Sequence, residues 1–177
     1  MLNINYYTEY TSPIGTLCII SDGYNLTNVQ LENNYTQNLN TKNNNLLIFK
    51  RTKTWLDNYF KGKKQNIGSL PLKPNGTPFC QAVWNILLTV PYGTITTYKE
   101  LAYKFAQVHG IKYQKATQAI GCALKKNPII IIIPCHRVVG TNGSLTGYSA
   151  GAGGGANKLK LLQIEGANTS WLMQLAF

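Results

Sequence analysis

A cysteine and a histidine stand side by side in Pro134-Cys135-His136-Arg137-Val138, directly after five consecutive isoleucines, Ile129 to Ile133. The thiolate is the reactive form of cysteine, and little of an ordinary thiol is ionised near neutrality, so an adjacent base makes it a better nucleophile. His136 is the base the sequence offers. Successive side chains of an extended chain point to opposite sides, so contact between Cys135 and His136 requires a turn or one intervening water, and the water relay is the expected arrangement. The aliphatic run reads as a buried strand that ends on the nucleophile.

Composition bounds what can hold that pair. A chain of 177 residues, 44% hydrophobic, can bury a core for one ordinary domain or two small ones. Met1-Leu2-Asn3-Ile4-Asn5 lacks the basic-then-apolar pattern of a leader, and no aliphatic run approaches the roughly 20 residues of a membrane helix, so a folded cytoplasmic protein without membrane association is expected. The four cysteines, at 18, 80, 122 and 135, form no C-x-x-C pair and no zinc spacing. They are expected to be free thiols with no bound metal, and Cys18, Cys80 and Cys122 read as small core residues. Seventeen basic residues against six acidic ones give a net charge of +11. Residues 91–177 carry nine of the basic and two of the acidic residues, so the second half is the expected polyanion binder. Lysine far outnumbers arginine, which suits phosphate contact better than bidentate base reading.

Alternation broken at Ser12-Pro13-Ile14-Gly15 and Ser21-Asp22-Gly23 predicts antiparallel strands over Tyr6–Thr11, Thr16–Ser21 and Leu26–Leu31. Tyr35–Asn45 reads as a loop and Leu46–Phe60 as a helix stopped at Lys61-Gly62. A stretch from Gln65 to Pro78, rich in proline and glycine, places a domain boundary near residue 75. Beyond it, helices are expected from Phe79 to Val90, after the capping box Thr97-Tyr98-Lys99-Glu100, and from Tyr113 to about Lys126. The last two have the outline of a helix-turn-helix. Small residues on the third helix would let a backbone enter a narrow groove, or equally allow close helix packing. Asn127-Pro128 ends that helix, and a final helix runs from Lys158 to Glu165 with Leu159, Leu161 and Leu162 in the core.

Asn127-Pro128, the aliphatic run, Pro-Cys-His-Arg-Val, Gly147-Tyr148 and Lys158 to Glu165-Gly166 together resemble the O6-alkylguanine-DNA alkyltransferases. Ser12-Pro13-Ile14-Gly15, Phe79 to Trp84 and Val90 to Tyr98 agree in order and spacing, so the resemblance spans the chain. It implies an α+β protein with a ribonuclease-H-like sheet domain over residues 1–75 and a winged helix-turn-helix domain over 76–177. It also implies repair of double-stranded DNA by irreversible transfer of the alkyl group from O6-alkylguanine, and from O4-alkylthymine, to Cys135. That reaction requires minor-groove binding and rotation of the base out of the stack, because the reactive substituent is inaccessible in a duplex. No cofactor is implied, each molecule reacts once, and a monomer is expected.

Carried onto this sequence, the resemblance makes Cys135 the acceptor, His136 the base acting through a water, and Glu165 the carboxylate that orients the imidazole. Tyr98 would press on the target phosphate and donate a proton to the departing oxygen, and Asn127 would tie the recognition helix to the active-site turn. Leu124, Leu145, Tyr148 and Ser149 would wall the pocket, and Lys115, Ala116, Thr117, Gly121 and Lys125 would face the groove. His109 receives no role. Gln118 stands where the family inserts an arginine into the space left by the flipped base. Gln107–Tyr113 and Ala150–Asn157 are longer than the family pattern. Two other readings stay open at this point: a lesion-binding protein that transfers nothing, and a winged-helix regulator whose Cys135 is structural or redox-sensing.

Overall fold

The computed structural model describes residues 5–32, 40–111, 117–145 and 154–172. It divides into one unit of Met1–Asn75 with Pro128–Ile132, and a second of Gly76–Asn127 with Ile133–Phe177. Five residues of the C-terminal half thus belong with the first unit.

In the first unit, β1 (Asn5–Ser12), β2 (Gly15–Ser21), β3 (Leu26–Leu31) and β4 (Asn40–Lys42) form a sheet in the order β3-β2-β1-β4. Central β2 is buried from Leu17 to Ser21, as its near-continuous apolar sequence requires. The three expected strands are present. The expected loop over Tyr35–Asn45 is not all loop, because β4 pairs in parallel with β1, Asn5↔Asn40 to Tyr7↔Lys42. Three polar residues at a sheet edge carry no period, and Lys42 is held instead by Glu9 at 2.9 Å. Helix α1 (Leu47–Phe60) buries Ile48, Phe49, Thr52, Trp55, Leu56 and Tyr59, one stripe of a 3.6-residue period.

The isoleucine run does not form the expected strand. Ile129 makes a parallel bridge to Val29, Val29 N–H donates to Pro128 O at 2.8 Å, and Ile130 N–H donates to Val29 O at 2.9 Å. The chain then reverses, with Ile132 N–H on Ile130 O at 2.9 Å and Ile131 at φ +73°. This is a γ-turn of the strained kind, on a β-branched residue that resists positive φ at a cost of about 1–2 kcal/mol. All five isoleucines are buried. An apolar run reports burial, and burial is served as well by a turn as by a strand.

In the second unit, α2 (Pro78–Leu87) is capped by Thr77, whose side chain accepts from Cys80 N–H, with Pro78 in the first turn. It ends three residues before the expected Val90. Two-residue strands β5 (Thr96–Thr97) and β6 (Val138–Val139) pair in parallel. Helix α3 (Tyr98–His109) starts with the reciprocal Thr97–Glu100 box and stops at left-handed Gly110. Helix α4 (Thr117–Lys125) packs on α2 and α3, and Trp84 Nε1–H donates to Ala123 O at 2.9 Å. Helix α5 (Gly154–Ile164) begins four residues before the expected Lys158 and takes part of the glycine run into its first turn. Among the described residues, no helix is long and apolar enough to cross a membrane.

Candidate active site

Cys135 follows a second γ-turn, centred on Pro134 at φ −84° and ψ 60°, in which Cys135 N–H donates to Ile133 O at 2.9 Å. Cys135, His136 and Arg137 then form a single 3-10 turn. The thiol is buried, with 9% of the residue exposed, while His136 is 0% exposed. Asn127, just past α4, donates from Nδ2 to Ile133 O at 2.8 Å and to Cys135 Sγ at 3.1 Å. One buried amide therefore ties the end of α4 to the Cys135 sulfur.

Glu165 lies one residue beyond α5 and is buried. Its Oε1 is 2.7 Å from His136 Nε2, and Arg137 grips both oxygens, Nε to Oε2 at 2.8 Å and Nη2 to Oε1 at 2.9 Å. Gly93 N–H donates to Oε2 at 3.0 Å. Gly93 has φ +75°, and a Cβ there would stand 2.9 Å from Glu165 O, so glycine is required for this approach. Arg137 Nη1 also donates to Val90 O at 2.6 Å.

Burial alone would raise the Glu165 pKa, but the bonds and charges of His136 and Arg137 bring it down to about 2. A carboxylate only accepts, so His136 Nε2 carries the hydrogen and Nδ1 of the neutral ring is left as the basic nitrogen. Burial pulls the His136 pKa down against the pull of Glu165, which keeps the ring neutral. Burial pushes the Cys135 thiol up, and the Asn127 bond, the charge of Lys158 and nearby backbone amides oppose it. The site is thus a weakly acidic thiol, a neutral base and a fixed negative charge, in that order.

The other expected residues fall as follows. Tyr98 opens α3, half-buried, with Lys158 Nζ 5.7 Å from its ring centroid. Leu124 is buried on α4. Leu145 packs in a core cluster with Val139, Leu162 and Leu172. Gln118 and Lys125 are exposed on α4, and Gly121 between them is partly exposed. A Cβ on Gly121 would meet nothing within 4 Å, so close helix packing does not explain that glycine. Thr117 begins α4. Tyr148, Ser149, Lys115 and Ala116 lie outside the described residues. Cys18 and Cys80 are buried, as expected, but Cys122 is exposed. It sits one position beyond Gly121, on the side of α4 opposite buried Ile120, Ala123 and Leu124. His109 ends α3 with its ring 4.3 Å from that of Phe105. An open hollow of about 630 Å³ is lined by Thr97, Lys99, Glu100, Tyr103, Thr141 and Trp171.

Two residues escaped the sequence reading. Arg137 was visible only as part of the motif, yet its place before the apolar Val138-Val139 pair is a signal of burial. Lys158 is 1% exposed, and it precedes buried Leu161 and Leu162 by three and four residues, which puts it on the inner stripe of α5.

A basic helical unit that buries a thiol in one turn with a histidine–carboxylate pair defines a helical nucleic-acid-binding protein with a candidate nucleophile inside it. Residues 78–167 match the model of the 6-O-methylguanine DNA methyltransferase DNA-binding domain, and residues 5–74 match that of its ribonuclease-like domain. The methylated-DNA–protein-cysteine methyltransferase of Haemophilus influenzae is 41% identical over 162 residues, 90% of this chain and 86% of that protein. The constitutive enzyme of that name from Bacillus subtilis is 35% identical over 92% of this chain and 96% of its own length. The crystal structure of Mycobacterium tuberculosis O6-methylguanine methyltransferase superposes with a TM-score of 0.79 at 36% identity, covering 92% of this chain and 93% of that one. The same mycobacterial protein in complex with DNA gives 0.77 at 36% identity, over 91% and 92% of the two chains. The chain belongs to the methylated-DNA–protein-cysteine methyltransferases, DNA-repair proteins whose reaction is direct alkyl transfer to a cysteine of their own. Its fold is accordingly a ribonuclease-like sheet domain followed by a helical DNA-binding domain.

Proposed function

We propose that Cys135 is the acceptor and that its substrate is O6-alkylguanine in double-stranded DNA, with O4-alkylthymine as a second lesion. The observation that carries this reading is the 2.7 Å contact between the His136 imidazole and the buried Glu165 carboxylate, in the same short turn that holds Cys135. In the reaction the thiol proton passes through a water to His136 Nδ1, and Glu165 stabilises the imidazolium that forms. The thiolate attacks the alkyl carbon in line, a C–S bond forms as the C–O bond breaks, and the electron pair leaves with the guanine oxygen. Tyr98 supplies the proton that this oxygen takes up. Asn127 holds the sulfur in register by its 3.1 Å bond.

The exposed face of α4, with Gln118, Gly121 and Lys125, is the surface offered to the minor groove, where the open space around Gly121 admits a backbone. The resemblance assigns groove contact also to Lys115, Ala116 and Thr117, and contact with the flipped base to Leu124, Leu145, Tyr148 and Ser149. Base flipping is required, since the Cys135 thiol is buried and the alkyl carbon of a base stacked in a duplex is out of its reach. A thioether is a poor leaving group, so each molecule reacts once, as a monomer. Four free thiols suit a reducing, cytoplasmic setting.

The test is a duplex oligonucleotide bearing O6-methylguanine. One methyl mass is expected on the tryptic peptide Asn127–Arg137, and none with Cys135→Ala. A wild-type protein that binds the duplex and gains no methyl sinks the proposal.

A further inference from the structure

Six of the eight basic residues between Met1 and Asn75 fall in one short segment: Lys50, Arg51 and Lys53 on α1, and Lys61, Lys63 and Lys64 directly after it. The other two, Lys42 and Lys73, are paired with Glu9 at 2.9 Å and Asp22 at 3.1 Å. Among the described residues, which include all six Asp and Glu side chains of the chain, no ion pair neutralises any cation of the segment. Asp57, its one acidic residue, accepts a hydrogen bond from the Tyr10 hydroxyl at 2.8 Å. Lys50, Arg51, Thr54, Asn58 and Lys61 recur at helical spacing on the side of α1 opposite its buried stripe, and Lys50 to Lys61 spans about 16 Å. Helix-end electrostatics does not account for this face. Cations complement the C-terminal end of a helix, where Lys61, Lys63 and Lys64 stand, but Lys50 and Arg51 follow a first turn without an acidic residue, near the positive end.

We propose that this face of α1 is a second surface for duplex DNA, one that holds phosphates by charge and reads neither sequence nor lesion. The partner follows from charge complementarity, since a duplex carries one negative charge per about 1.7 Å of its axis and a face of this length meets several of them. Lysine outnumbers arginine here five to one, and Thr54 and Asn58 stand among the cations, a composition suited to phosphate and sugar contact rather than to base edges. A lipid surface fits less well, because an interfacial helix offers an apolar face to the acyl chains. The apolar stripe of α1 is buried in the core, and Leu47 alone among its apolar side chains is exposed. The surface retains the protein on undamaged DNA, where no lesion holds it. It lies in the ribonuclease-like domain and carries no reacting group, so it is independent of the reading of Cys135.

The experiment measures binding of the full-length protein to an undamaged duplex over a range of salt. Lys50→Gln, Arg51→Gln and Lys61→Gln together are expected to weaken binding about tenfold or more at about 0.1 M salt, and to lower the slope of log K against log salt by about 2–3. Lys42→Gln with Lys73→Gln removes charge from the same unit at lysines that are already paired, and should leave the slope as it is. An unchanged slope in the triple variant overturns the proposal. An equal drop in the paired-lysine control also overturns it, because net charge and not this face would then be responsible. Loss of binding to phosphatidylserine vesicles in the triple variant, with duplex binding intact, would assign the face to lipid instead. If the triple variant does not fold, acetylation of the wild-type protein suffices: undamaged duplex should protect Lys50, Lys61, Lys63 and Lys64 and leave Lys42 and Lys73 reactive, and an absence of that protection overturns the proposal. Cys135→Ala should keep the wild-type slope, so a failure of methyl transfer would defeat the acceptor assignment and leave this surface to be judged on binding.

Discussion

Glu165 takes hydrogen bonds from His136, from Nε and Nη2 of Arg137 and from Gly93 N–H, all within 3.0 Å. Its pKa is lowered in the folded protein from 4.5 to about 2, so its contribution is present in full above about 4.5 and is lost as pH falls toward 2. By linkage that contribution is on the order of 3 kcal/mol. Urea unfolding should therefore show Glu165→Gln less stable than wild type by about 3 kcal/mol at neutral pH, with the gap closing as pH approaches 2. A gap that stays constant with pH would mean the carboxylate is not held by these charges. The same variant should lose about 100-fold or more in the rate of methyl transfer, because the imidazolium loses its counter-charge. Asn127→Ala removes the amide donor to the thiol and one of the two donors to Ile133 O, which keeps Cys135 N–H, and a loss of about 1–3 kcal/mol in urea unfolding is expected.

Among the elements, the isoleucine turn offers a clean comparison. Glycine is ordinarily less stable than alanine within regular structure, but Ile131 sits at φ +73°, where alanine pays the steric cost and glycine does not. Ile131→Gly and Ile131→Ala both empty the same buried site, and the glycine variant is expected to be the more stable by about 1 kcal/mol in urea unfolding. The opposite order would show that the positive φ is not a strained state of this chain. On α4, Lys125→Glu should weaken duplex binding and reduce the slope of log K against log salt by about 1 if Lys125 meets a phosphate. An unchanged slope would place the DNA on another face.

For the whole molecule, the assignment of Pro128–Ile132 to the first unit has a practical consequence. A protein cut to begin at Gly76 keeps the Cys135 site but loses β3, the strand to which Pro128 O and Ile130 N–H are bonded. Such a truncation should expose an aliphatic run of high β-propensity and aggregate, as light scattering would reveal, whereas the full chain stays dispersed. A well-behaved 76–177 fragment would show that the run can be covered without the sheet.

The periodic elements and the chemistry were legible in residue order because their causes are local. Alternation set β1 to β3, the Thr97–Glu100 box set the start of α3, and the Cys-His pair with its upstream Asn-Pro marked the turn where Asn127 meets Cys135 and His136 meets Glu165. What required the folded chain was whatever depends on partners distant in sequence. Polar Asn40–Lys42 becomes a strand because β1 lies beside it, and the isoleucine run meets β3 at a single bridge and reverses directly after Ile130 N–H has bonded to Val29 O. Arg137 reaches back 47 residues to Val90 O and forward 28 to Glu165, pairings that no window of local sequence contains. Lys158 is charged by its own chemistry, but its burial on the turn that carries Cys135 was decided by the packing of α5.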